Sequence, residues 1–126
     1  MILDTNAVSA MADQDQKIAK VLGAPSSQYL PVPVLAEYRS GVINSRYRKS
    51  LETWLDQLEK SRLILNIDAV TAHHYAVLKN KLKTAGRMIP INDIWIAALA
   101  LQHHLPILSE DRHFDGITGI KRIGWV

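Results

Sequence analysis

Apolar residues in this chain fall into short uninterrupted runs and longer segments in which they recur every three or four positions. The short runs predict strands at Ile2 and Leu3, at Tyr29 to Val32, within "RLILNI" (Arg62 to Ile67) and at Leu105 to Leu108. The closing "KRIGWV" reads as a last, edge-like strand.

The periodic segments predict helices. Thr5 or Asn6 caps a turn through "AVSAM", and Asp13 or Asp15 starts a helix whose face is Ile18, Val21 and Leu22. Gly23 and Pro25 end it. Pro33 suits the first turn of the next helix, where Val34, Leu35, Tyr38 and Val42 share a side, Glu37 lies at its margin, and Gly41 to Asn44 break the pattern. Tyr47 to Ser61 carries a stripe of Leu51, Trp54, Leu55 and Leu58. Asp68 caps a helix with Val70, His74, Val77, Leu78 and Leu82 on one stripe, closed by Gly86. Asn92 to His104 is apolar on every side and belongs in the centre of the domain.

Strands separated by one or two helices require crossover connections, hence a central, mainly parallel sheet flanked by helices. The fold class is α/β, in a single domain over residues 1–126 without repeats or linkers. In such sheets ligands bind beyond the carboxyl ends of the strands.

Composition narrows the picture. The absence of cysteine, and of a charged-then-apolar leader before Ile2, leads us to expect a reducing compartment, the cytoplasm. The longest apolar run, Ile94 to Leu101, falls well short of the roughly 18 residues that span a bilayer. A net charge of +3 mildly favours polyanions. The 6 glycines form neither a dinucleotide-binding nor a Walker-type phosphate loop. "DTN" lacks the second acid, two residues on, of an aspartyl phosphotransferase.

Six of the 12 acids have ordinary explanations. Asp13, Asp15 and Asp68 start helices, whereas Glu52, Asp56 and Glu59 lie off an apolar stripe. Four others fall at equivalent places: Asp4 after the first strand, Glu37 on the helix leaving the second, Asp93 at the start of the all-apolar helix, and Asp111 after "LPILS". The predicted topology gathers them on one edge. Carboxylates about 4 Å apart repel by roughly 4 kcal/mol at an effective dielectric near 20. Such a cluster calls for shared protons or a cation, and oxygen ligands of this kind select Mg2+ or Mn2+ over zinc.

At these residues the chain resembles the PIN-domain ribonucleases, in particular the VapC-type toxins of bacterial toxin–antitoxin pairs. The resemblance is carried by "LDTN" (Leu3 to Asn6), "LAEYRSGV" (Leu35 to Val42) and "INDIWIAALALQHHLPILSEDRHF" (Ile91 to Phe114). It implies a PIN-like domain in which Asp4, Glu37, Asp93 and Asp111 form the acidic quartet that binds Mg2+ or Mn2+, with Asn6 and Ser109 as polar helpers. Asp111 ranks ahead of Asp115 and Glu110 for the fourth position, and Asp115 is read as capping the turn that ends at Gly116. The implied activity is metal-dependent hydrolysis of RNA phosphodiesters, with a tRNA loop as the expected target, which would inhibit translation. A catalytically idle PIN module that binds RNA or protein is the alternative. Implied partners are the RNA substrate, a second copy of the chain, and a VapB-type antitoxin through which alone DNA is contacted.

Arg46, Arg48, Lys49, Lys83 and Arg87 are candidate phosphate contacts, and Tyr47 could stack on an unpaired base, although packing is its commoner role. Neither "HH" pair stands in a zinc-binding frame, so His103 and His104 are assigned to a helix end and His74 to an apolar stripe. His113 alone lies near the acids and is a further candidate RNA contact. Trp54 and Trp95 are assigned to the core or to a subunit interface.

Overall fold

A computed structural model describes residues 1–126. Five parallel strands form one sheet: β1 (Ile2–Leu3), β2 (Tyr29–Pro31), β3 (Leu63–Leu65), β4 (Ile107–Leu108) and β5 (Arg122–Ile123), in the spatial order β3-β2-β1-β4-β5. The expected mainly parallel sheet is therefore parallel throughout. Leu30 pairs in register with Ile64, Leu3 with Leu108 and Leu108 with Ile123. Ile2, Leu3, Leu30, Ile107 and Leu108 are all fully buried, as strands covered on both faces require.

Six helices connect the strands: α1 (Thr5–Ala12), α2 (Gln16–Ala19), α3 (Val32–Val42), α4 (Arg48–Ser61), α5 (Ala69–Thr84) and α6 (Ile91–His103). No helix is long and apolar enough to cross a membrane. As its composition demands, α6 is central, with Ile94, Ile96, Ala97, Ala98, Leu99 and Ala100 buried. His104 ends it in the left-handed region at φ 54°. Trp95 stacks on Tyr75 of α5 at 4.0 Å, and Trp54 of α4 lies 6.1 Å from Tyr38 of α3.

Several local expectations need correction. The cap of α1 is Asp4, not Thr5 or Asn6. Val32 begins α3 instead of ending β2, because Pro33 fixes a helical first turn. Leu105 and Pro106 precede β4, which pairs only from Ile107. Asp15 does cap α2, but the helix stops at Ala19, and Gly23 turns the chain at φ 67°. On α5 the stripe is rotated: Thr71, Leu78 and Leu82 are buried with Tyr75 packed beside them, while Val70 and Val77 face out. Asp68 and Thr71 form a reciprocal capping box, and the Thr71 hydroxyl also donates to Gln102 of α6 at 2.5 Å, so polar bonds set the rotation of α5.

The order of the sheet decides where a site can form. From β1 the chain builds β2 and β3 on one side, then returns through α6 to lay β4 on the other. The carboxyl ends of β1 and β4 thus flank the point where strand order reverses, the usual place for a crevice in an open α/β sheet. Asp4 follows the first of these strands and Ser109 the second.

Candidate metal centre

Asp4 has extended backbone geometry and caps α1, with Oδ1 accepting from Thr5 N at 2.8 Å. Its Oδ2 accepts from the Ser109 hydroxyl at 2.6 Å. A capping role therefore coexists with orientation towards β4. The residue is only 4% exposed, and burial pushes its carboxyl up to about 6. The Ser109 and Thr5 bonds oppose that rise, while the charges of Asp93 and Glu37 add to it.

Three elements bring the other acids to Asp4. Glu37 extends from α3, where its Oε2 accepts from Thr5 Oγ1 at 2.7 Å and from Asn92 Nδ2 at 2.6 Å. Asp93 lies in the first turn of α6, a favourable place for negative charge, and is buried. Its carboxyl is also raised, first by burial and then by the charges of Asp111 and Glu37, against the bond from His113. Asp111 caps the 3-10 turn Arg112–Phe114 and accepts from His113 N at 2.9 Å.

Ser109 and Asn6 close the frame. The Ser109 hydroxyl oxygen accepts from Asn6 Nδ2 at 3.2 Å and from Asp111 N at 2.9 Å, while Asn6 Oδ1 accepts from Glu110 N at 3.4 Å. Both predicted polar helpers thus touch the acids or the segment carrying them.

The competing acids point elsewhere. Asp115 receives Arg122 Nε at 2.7 Å and lies 3.6 Å from Arg112, and the Arg122 bond holds its carboxyl below the ordinary range. The expected turn-capping role for its side chain is replaced by this ion pair. Glu110 is engaged by the backbone N–H groups of Trp125 and Val126.

Three contributors were not foreseen in their observed roles. Thr5 and Asn92 hold Glu37, a link between separate elements that no local spacing signals. His113 was expected to contact RNA, but its Nδ1 lies 2.8 Å from Asp93 Oδ2 and 3.0 Å from Asp111 Oδ1. These acids raise the pKa of the ring, the Asp93 bond foremost.

The donor set suits a hard divalent cation. No lysine or arginine is paired with Asp4, Glu37, Asp93 or Asp111, and apart from His113 their hydrogen-bond partners are neutral N–H and O–H groups. Buried carboxylates partnered in this way need compensating positive charge, and oxygen ligands at a sheet edge match Mg2+ or Mn2+.

The basic candidates separate into groups. Arg46 and Lys49 line a concavity of about 440 Å³ with Tyr47, Ser50 and Thr53, and the Arg46 guanidinium lies 5.0 Å from the Tyr47 ring centroid. Arg48 is paired with Glu52 at 2.6 Å. Arg87 donates to the carbonyl of Asp115 at 2.8 Å, and Lys83 is exposed near the end of α5.

Comparisons with known proteins agree with this architecture. The PIN domain model matches residues 1–120. Ribonuclease VapC4 of Mycobacterium tuberculosis is 33% identical over 94 residues, covering 73% of this chain and 72% of the relative. Ribonuclease VapC5 of the same organism is 31% identical over 124 residues, covering 97% and 90%. The crystal structure of VapBC2 from Rickettsia felis, bound to a DNA fragment from its promoter, superposes with a TM-score of 0.88 at 22% identity, covering 99% of this chain and 98% of that one. The chain belongs to the PIN-domain family, alongside relatives named as VapC ribonucleases.

Proposed function

We propose that this PIN domain is a divalent-metal-dependent endoribonuclease, the toxin of a toxin–antitoxin pair, acting in the cytoplasm and held inactive by a VapB-type antitoxin. The observation that carries the reading is the convergence of Asp4, Glu37, Asp93 and Asp111 at one sheet edge, with Asp4 and Asp93 buried. The kinship with VapC ribonucleases supports it.

In this reading Asp4 and Asp93 would hold the ion directly, and Glu37 and Asp111 would hold it directly or through its waters. Ser109 and Thr5 fix the two Asp4 oxygens, and Thr5 with Asn92 fixes Glu37, so the carboxylates are oriented before substrate arrives. Held by these carboxylates, Mg2+ or Mn2+ would supply an acidified water, charge neutralisation at the phosphate and stabilisation of the departing oxygen. Arg46 and Lys49 position the RNA backbone without reading its sequence. The antitoxin and a second copy of the chain are the proposed protein partners, and DNA is reached only through the antitoxin.

Purified chain incubated with total RNA in Mg2+, Mn2+ or EDTA tests this directly. Discrete fragments lost with EDTA and in both Asp4→Asn and Asp93→Asn are the expected result. Cleavage that persists undiminished in both variants overturns the catalytic reading.

A further inference from the structure

His113 approaches two of the acids, a role the family resemblance does not account for, and its position is built rather than incidental. Phe114, next in sequence, is fully buried and anchors the 3-10 turn. Asp111 caps that turn through the backbone N–H of His113 itself. With the backbone held on both sides, the ring turns back so that a single nitrogen, Nδ1, lies 2.8 Å from Asp93 Oδ2 and 3.0 Å from Asp111 Oδ1.

In the metal-free protein a protonated ring shares its Nδ1–H between the two carboxylates. The same spacing matches a second pattern, open to the neutral ring. Adjacent ligand atoms of an octahedral ion with bonds of about 2.1 Å lie about 3 Å apart. The ligating atoms of Asp93, Asp111 and His113 all lie within 4.8 Å of one another.

From this geometry we infer that His113 is a nitrogen ligand of the metal centre, which with Asp93 and Asp111 makes the centre selective for Mn2+ over Mg2+. The inference rests on the proposed metal-dependent reading of the site. Its chemical basis is ligand softness: imidazole binds first-row transition ions well, whereas Mg2+ prefers oxygen and retains its water. A fully acidic quartet would have no such bias.

The test is metal binding by the full chain, independent of cleavage. Mn2+ is titrated into wild type, His113→Ala and Asp93→Asn, with affinity read by electron paramagnetic resonance and nitrogen coupling by its pulsed form. Mg2+ affinity is obtained by competition. The His113 side chain is 47% exposed, so His113→Ala is expected to fold, which circular dichroism checks. The expected result is nitrogen coupling in wild type that vanishes in His113→Ala, with Mn2+ affinity about tenfold weaker and Mg2+ affinity scarcely changed. Equal or tighter Mn2+ binding by His113→Ala, with no nitrogen coupling in wild type, overturns the assignment while leaving the carboxylate centre standing. Failure of Asp93→Asn to weaken Mn2+ binding overturns the centre itself.

Discussion

The Ser109 hydroxyl donates to Asp4 Oδ2 at 2.6 Å, joining the ends of β4 and β1 across 105 positions of sequence. The same oxygen accepts from Asn6 and from the backbone of Asp111, so one buried atom fixes one proposed ligand and the segment bearing another. Removing it in Ser109→Ala strands two N–H donors and takes a donor from Asp4. The expected loss is about 1–3 kcal/mol of stability, read as a lower urea midpoint. The Asp4 carboxyl rises further, because this bond opposes the effect of burial. Carbonyl NMR titration of Asp4 follows that rise, and an unchanged midpoint and titration would contradict the role assigned to Ser109.

Asp4 also gives the metal-free protein a pH dependence of definite sign. Its carboxyl is raised from 3.8 to about 6, so the folded state holds the proton more tightly than the unfolded chain does. The corresponding stability is fully present below 3.8 and is lost as pH rises through about 6. At pH near 8 the ionised group costs at most about 3 kcal/mol. Asp4→Asn, which cannot ionise, is therefore expected to melt above wild type in EDTA near pH 8, with the gap closing near pH 4. Mg2+ or Mn2+ then raises the wild-type melting temperature far more than the variant's. A variant less stable than wild type near pH 8 would show that the Ser109 bond outweighs the charge.

Much of the centre was legible because strand ends and helix starts are local signals. Asp4 after Ile2 and Leu3, and Asp93 at the head of an all-apolar helix, needed only periodicity and the rule for parallel sheets to be placed together. What escaped depends on contacts between elements. Val70 and Val77 share a predicted stripe, but the Asp68–Thr71–Gln102 bonds rotate α5 so that both face out. The partners of Glu37, Thr5 and Asn92, lie 32 and 55 positions away. His113 was placed near the acids but read as an RNA contact, and only the turn closed by Phe114 brings its ring onto Asp93 and Asp111.

Of the acids that compete for the fourth position, Asp111 and Asp115 separate by charge partner. Asp111 faces His113 and Asp93, whereas Asp115 is held by Arg122 and carries its own counter-charge. Asp111→Asn is expected to lower RNA cleavage at least tenfold, as loss of an outer or direct metal partner does. Asp115→Asn should leave cleavage close to wild type. Full activity in Asp111→Asn, with loss in Asp115→Asn, would reverse the assignment.

Arg46 and Lys49 give the last prediction, because the basic residues near the start of α4 are not equivalent. Arg48 spends its charge on Glu52, while Arg46 and Lys49 border a shared concavity beside the exposed Tyr47 ring. A phosphate contact releases condensed counterions, so removing one from a single-stranded complex reduces the slope of log affinity against log salt by about 0.7. Arg46→Ala and Lys49→Ala, each measured on catalytically silent Asp93→Asn protein with a fluorescent RNA, are expected to weaken binding and flatten that slope. Arg48→Ala should change it less, since its charge is already paired. Tyr47→Ala separates stacking from charge, because loss of a stacked base lowers affinity while leaving the salt slope unchanged. If all four variants retain wild-type affinity and slope, RNA does not cross this surface.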